Sequence, residues 1–269
     1  MKKVFLFFLL FIYLNPVDLF SLHEEQLLTP SGVAVDIIYR AFEPGEIVVV
    51  SIKDDSSIKD AWIRFLDRRY TMGKSETNPG LLAFMGLDLG LEPGSYDIDI
   101  FIDKASGERE YTKKQIFVLA KEFPLRKLWV DERFVTPPPE FHERIRREGE
   151  ILKVIYGITT DQWLGEGFFI LPSSGTAMPN FGERRIFNNK PRSSHKGIDI
   201  KVPYGTPVKA ANSGRVVLAS DLYFAGKTVI IDHGMSVFTM YCHFSKIRVK
   251  RGLLVEKGEI IGEIGATGR

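Results

Sequence analysis

The feature that most limits the fold is a succession of short segments alternating apolar and polar residues, each closed by a glycine or proline turn. From about Thr29 to Leu119 these include "VAVDIIYR", "EIVVVSI", "DAWIRFL", "YDIDIFI" and "KQIFVLA", separated by "EPGE", "NPG" and "LEPGSY". Period-two alternation puts successive side chains on opposite faces, so each segment suits a half-buried strand, and regular turn signals between strands predict an all-β domain. The chain is expected to be mainly β, with a small N-terminal sandwich of Ig-like type over residues 29–120. Asp97, Asp99 and Asp103 alternate with apolar residues, and are expected on the solvated face of an edge strand rather than around a calcium ion.

A connector over 121–167 interrupts this texture. Three prolines at 137–139 prepare a helix start, and Phe141, Ile145, Leu152 and Ile155 recur at helical spacing, which predicts a bridging helix over 140–156. His142 lies among its charged residues and is expected at the surface. From residue 168 to 269 glycine-punctuated strands return in "TPVKAANSGRVVLAS", "GKTVIIDHGMSVFTMYCHF" and "KIRVKRGLLVEKGEIIGEIGATG", a second β domain.

Composition removes some partners. With 36 basic and 34 acidic residues the net charge is only +2, so charge gives no reason to expect nucleic acid. Cys242 is the sole cysteine, which excludes an intrachain disulfide, and its alternating neighbours suit a strand thiol better than a nucleophile. At the N-terminus Lys2 and Lys3 precede an apolar run, Val4 to Leu14, too short to span a bilayer of about 30 Å. This is the pattern of a signal peptide over 1–21, although no A-x-A triplet marks its cleavage and an uncleaved N-terminal anchor is the alternative. The mature chain, without a membrane span, is expected in the periplasm or cell envelope.

The chemistry concentrates in "RSSHKGIDI", where His195 and Asp199 flank Gly197. In an extended segment both side chains project to one side, an arrangement that suits two ligands of a zinc ion. That spacing also occurs by chance. Its context is more specific: "HKGIDIKVPYGTPVKAANSGRVVLA", "VIIDHG", "TMYCHF" and "GEIIGEIGATGR" follow in order, and "NFGERRIFNNKPRS" leads in. This region resembles the lysostaphin/LytM-type zinc peptidoglycan endopeptidases, with their H-x-G-x-D, G-T-P-V, Y-x-H-L and G-x-T-G motifs.

The resemblance implies a C-terminal antiparallel β domain of the lysostaphin-type (duplicated hybrid motif) fold over 168–269. It implies His195 and Asp199 as zinc ligands and His243 as a catalytic histidine, for which an imidazole that exchanges a proton near neutrality is suited. Phe244 stands where the family usually has leucine, and His233 falls where the family has a histidine that does not bind the metal. The implied activity is zinc-assisted hydrolysis of peptide bonds in bacterial peptidoglycan, with "LYFAG" at 222–226 as a groove loop.

The family pattern continues past G-x-T-G into P-H-L-H, which supplies a second catalytic histidine and the third ligand. Within the 269 residues neither His23 nor His142 is placed to substitute. The expectation is therefore that this chain carries an incomplete site, binds zinc poorly and is nearly inactive. A non-catalytic cell-wall-binding or hydrolase-activating module is the competing reading, against which the retention of His195, Asp199 and His243 argues.

Overall fold

The computed structural model describes residues 22–53, 55–75 and 80–269, so the signal segment expected over 1–21 lies outside the described residues. These fall into two compact units, one of residues 22–122 with 159–163 and one of residues 123–158 with 164–269.

The first unit holds β1 (His23–Leu28), β2 (Ala34–Tyr39), β3 (Ile47–Ile52), β4 (Ile58–Phe65), β5 (Arg68–Thr71), β6 (Gly73–Ser75), β7 (Leu81–Gly86), β8 (Gly94–Lys104) and β9 (Arg109–Val118). Of the next two strands, β10 (Leu125–Leu128) belongs to the second unit, whereas β11 (Gln162–Trp163) returns to pair in parallel with β6. The sheets run β1-β2-β3-β7-β6-β11 and β5-β4-β8-β9. Val35, Ile37, Val48 and Val50 from one sheet and Ala61, Ile63, Ile98, Ile100 and Ile102 from the other share a single core. Alternation explains it: every second residue of "DIDIFID" turns inward, and each full burial is worth about 1.5–3 kcal/mol.

The intervening aspartates face outward and are paired, Asp97 with Lys113 at 2.9 Å, Asp99 with Arg64 at 2.8 Å and Asp103 with Arg109 at 2.5 Å. One expectation is corrected here. β8 is an inner strand between β4 and β9, not an edge, because the cations that neutralise its carboxylates stand on the neighbouring strands.

In the second unit a 3-10 turn, Pro139–Phe141, leads into α1 (His142–Tyr156). There follow β12 (Thr176–Ala177), β13 (Arg184–Phe187), β14 (Lys190–Ser194), β15 (Ile200–Lys201), β16 (Pro207–Lys209), β17 (Gly214–Leu222), β18 (Gly226–Asp232), β19 (Phe238–Ile247), β20 (Leu254–Val255) and β21 (Ile260–Ile264). The main sheet runs β16-β21-β19-β18-β17-β20, all antiparallel. Its central strand β18 is buried on both faces: Val229 and Ile231 join the core with Val216, Tyr241, Phe244 and Ile261, while Ile230 packs with Leu218, Leu222 and Ile155 of α1. Leu152 and Ile155 thus form the inward stripe of the helix, and its charged face is laced by Arg146–Glu143 and Arg144–Glu148 pairs. Two small sheets, β10-β13-β14 and β12-β15, carry the lead-in to the candidate site.

Candidate metal centre

Delivery of His195 begins with a hairpin. Asn188 and Asn189 take φ of 48° and 63°, the left-handed conformation that a two-residue turn between twisted strands needs, and β13 is thereby folded back onto β14. β14 ends at Ser194, and His195 is then fixed on both sides of its peptide: its N–H donates to Glu183 O at 2.8 Å and its carbonyl accepts from Gly182 N at 2.7 Å.

The route from His195 to Asp199 differs from the extended one expected. Four residues of strand would separate the two by about 13 Å, yet His195 Nε2 lies 3.5 Å from Asp199 Oδ1. The chain instead leaves β14, bends at Gly197 and re-enters β15 one residue after Asp199. The pair converges because the backbone folds back, not because both residues share a strand face.

That 3.5 Å separation is chemically informative. Two ligand atoms each about 2.0 Å from one tetrahedral ion stand roughly 3.3 Å apart. The imidazole is nearly enclosed, with 16% of its side chain exposed, whereas 57% of the Asp199 side chain faces solvent. The two donors accordingly fit one ion on an open rim.

Asn180, 5% exposed, organises the pair. Its amide Nδ2 donates to Asp199 Oδ2 at 2.6 Å, its Oδ1 accepts from Asp199 N at 3.1 Å, and its backbone carbonyl lies 3.0 Å from His195 Nδ1. Arg185 Nη2 donates to the same Asp199 Oδ2 at 2.9 Å and lies 2.9 Å from His195 Nδ1. Asn180 O and Arg185 demand opposite tautomers of that ring. With the proton on Nδ1 and donated to Asn180 O, Nε2 keeps its lone pair toward Asp199 Oδ1, and Arg185 retains its bond to the carboxylate. This is the metal-ready form, an Nδ1–H held by a carbonyl so that Nε2 can ligate.

The electrostatics act in the same direction. Burial pushes the His195 imidazole below its ordinary range. Partial burial alone would raise Asp199, but His195, the Arg185 guanidinium and the Asn180 amide together hold its carboxyl below the usual carboxylate range. Both groups are thus favoured in the deprotonated states that metal binding requires. Among the described residues no third His, Cys, Asp or Glu joins them.

His243 is placed on β19 with φ +62°, at an irregularity where Cys242 and His243 stand opposite Thr228 alone on β18. Its N–H donates to Ala225 O at 2.9 Å and its Nδ1 donates to Thr267 O at 2.6 Å. His233 is fully buried, with its two ring nitrogens 2.7 Å from Ser213 O and 2.7 Å from Thr239 Oγ1, and burial pushes it down to about 4. The Cys242 thiol is pushed up to about 11 by burial, which keeps it protonated. His142 hydrogen-bonds Pro137 O at 2.9 Å and His23 stacks on Tyr39, each with partners of its own. In "LYFAG", Tyr223 turns inward, its hydroxyl donating to Arg133 O at 2.7 Å. Asn180 and Arg185 carry weight that spacing did not disclose, although both stand in the "NFGERRIFNNKPRS" lead-in.

Residues 193–269 match Peptidase family M23. Among relatives, peptidoglycan DD-endopeptidase ShyA of Vibrio cholerae is 43% identical over 91 residues, covering 34% of this chain and 21% of its own length. A lipoprotein NlpD/LppB homolog of Pseudomonas aeruginosa is 38% identical over 103 residues, 38% of this chain and 32% of that protein. The chain spans about a fifth of the length of ShyA and of peptidoglycan DD-endopeptidase ShyB of the same organism, at 21% and 18%. A crystal structure from Pseudomonas aeruginosa assigned to peptidase M23 superposes with TM-score 0.59 at 27% identity, over 85% of each chain. In sequence over residues 193–269, and in fold over most of the chain, this protein is thus similar to Peptidase family M23.

Proposed function

We propose that this protein is an exported zinc metalloendopeptidase that hydrolyses peptide bonds of bacterial peptidoglycan. The observation that carries the reading is the His195 Nε2 to Asp199 Oδ1 separation of 3.5 Å, the span of two ligand atoms on one ion, inside an M23 domain. Zinc bound there would acidify water and polarise the scissile carbonyl. The chain's own residues do the rest. Asn180 and Arg185 tie up Asp199 Oδ2, which would leave Oδ1 to hold an ion. His243 holds or releases a proton at Nε2, the ring atom not engaged by Thr267. The substrate class and the envelope location are supported by the relatives named peptidoglycan DD-endopeptidases and by the signal-like N-terminus.

One observation favours a second reading, a wall-binding or hydrolase-activating module: a relative of similar identity is named as a lipoprotein NlpD/LppB homolog and not as an endopeptidase. The full-length gene product incubated with purified sacculi separates them. Release of new peptide amino termini that a chelator abolishes, zinc restores and His195→Ala removes supports the enzyme. Sedimentation with sacculi and no released amino termini at any zinc concentration would establish the module.

A further inference from the structure

The segment Thr267-Gly268-Arg269 makes contacts that neither metal binding nor the core requires. The Thr267 hydroxyl bridges two strands: it accepts from Lys227 N on β18 at 2.9 Å and donates to Phe244 O on β19 at 2.8 Å. Those two residues are a paired register position, immediately beside the irregularity that holds His243. The Thr267 carbonyl then receives the His243 ring at 2.6 Å. Thr267 is thereby bonded to the strand, its partner and the side chain in between.

The approach is too close for an ordinary residue on either side. A Cβ on Gly226 would stand 2.4 Å from Thr267, one on Gly268 would stand 2.4 Å from Gly226 N, and both glycines are left-handed, with φ of +62° and +78°. Arg269 closes the segment by donating its N–H to Phe224 O at 2.9 Å. A bulge in a strand re-aims one side chain, and a left-handed non-glycine residue persists only where its surroundings over-determine it. Here the surroundings are Ala225 O on the His243 peptide and Thr267 on its ring.

We infer that Thr267 is a positioning residue for His243, setting the tautomer and direction of its imidazole. A backbone carbonyl only accepts, so the bond to Thr267 O requires the proton on Nδ1. Nε2 is left as the atom that takes or gives a proton, and the Thr267 hydroxyl keeps the carbonyl in place. That this aids hydrolysis rests on the peptidase reading, but the tautomer does not.

The test is long-range proton–nitrogen NMR on the full-length protein carrying nitrogen-15 histidine, without zinc or substrate, with doubly bonded His233 as internal reference. Wild type is expected to show neutral His243 protonated on Nδ1. Thr267→Val should shift it toward the Nε2–H form favoured by free imidazole, and Thr267→Ser should restore the wild-type signal. On sacculi, Thr267→Val should lower kcat about tenfold with KM little changed, a part of the roughly 10²–10⁴-fold that positioned proton transfer contributes. An Nε2–H tautomer in wild type overturns the inference even if the valine variant fails to fold. So does a folded valine variant with an unchanged His243 signal. An Nδ1–H tautomer that follows the hydroxyl, in a wild-type protein that cleaves nothing, supports the assignment and sinks the peptidase reading instead.

Discussion

The two units are built from the same material, strands that alternate apolar and polar residues, yet they use polar side chains in opposite ways. In the first unit the charged groups are consumed locally: Glu46 is held by Arg40 and Lys121, buried Glu110 lies 3.4 Å from Lys104, and the β8 aspartates are matched across strands. In the second, Asn180, Arg185, His195 and Asp199 are gathered from 20 residues of chain into one spot that leaves two donor atoms open. Backbone conformation divides likewise. Among the described residues Leu66 is the left-handed non-glycine position of the first unit, against Asn188, Asn189, Met235, Ser236 and His243 in the second. Cross-strand neutralisation supports a scaffold, whereas left-handed backbone gathers in the unit where chemistry is proposed.

The largest expected effect concerns acid. His233 is neutral and buried with a depressed pKa of about 4, so the unfolded chain binds more protons than the folded one below its ordinary value of about 6.5. Stability is fully present above that value and falls as pH drops toward 4, by an amount of order 3 kcal/mol. Urea unfolding at pH 7.5 and 4.5, followed by a probe in each unit, should show the second unit yielding first. His233→Gln should flatten the difference, and an equal acid sensitivity in that variant would break the contrast between units.

Next in size is the clamp on the ligand pair. Asn180→Ala removes one anchor from Asp199 Oδ2 and the acceptor for its N–H, and is expected to weaken zinc affinity about 10- to 100-fold. Competition with a fluorescent chelator measures it. Arg185→Gln should act in the same direction, and unchanged affinity in both would mean that the donors need no outer support.

The smallest effect sharpens the other side. Trp62 stacks on Phe101 at 3.9 Å with Arg69 4.3 Å over its other face, so the rings cover one another. Trp62→Leu should destabilise the first unit by about 1 kcal/mol and leave zinc affinity unchanged. A loss of affinity would show that the scaffold and the site are not separable.

Much of this was legible in the residues. Period-two alternation disclosed both β regions because burying one face of a strand forces it, and the helical stripe of Leu152 and Ile155 appeared for the same reason at its own period. Motif order singled out His195 and Asp199, and the structure brings their side chains within 3.5 Å of each other. What stayed hidden depends on chain reversal: Asn180 and Arg185 stand 15 and 10 residues before His195, and only the Asn188–Asn189 turn brings them to it. The parallel pairing of β10 with β13 and the two-residue strands β12 and β15 likewise have no periodicity long enough to read. Two geometric expectations failed: β8 has a neighbour on each side where an edge strand was expected, and strand parity does not carry from His195 to Asp199 across a glycine that bends.

The half-buried thiol of Cys242 has a practical consequence. With its pKa pushed up to about 11, almost none of it is thiolate at neutral pH, and thiolate is the reactive species. A single cysteine introduced at Tyr204, whose side chain is 75% exposed, would therefore take up a maleimide dye with the native thiol left in place. This chain comes already blanked for single-site labelling, and fluorescence could follow binding of the proposed substrate without first removing a native residue.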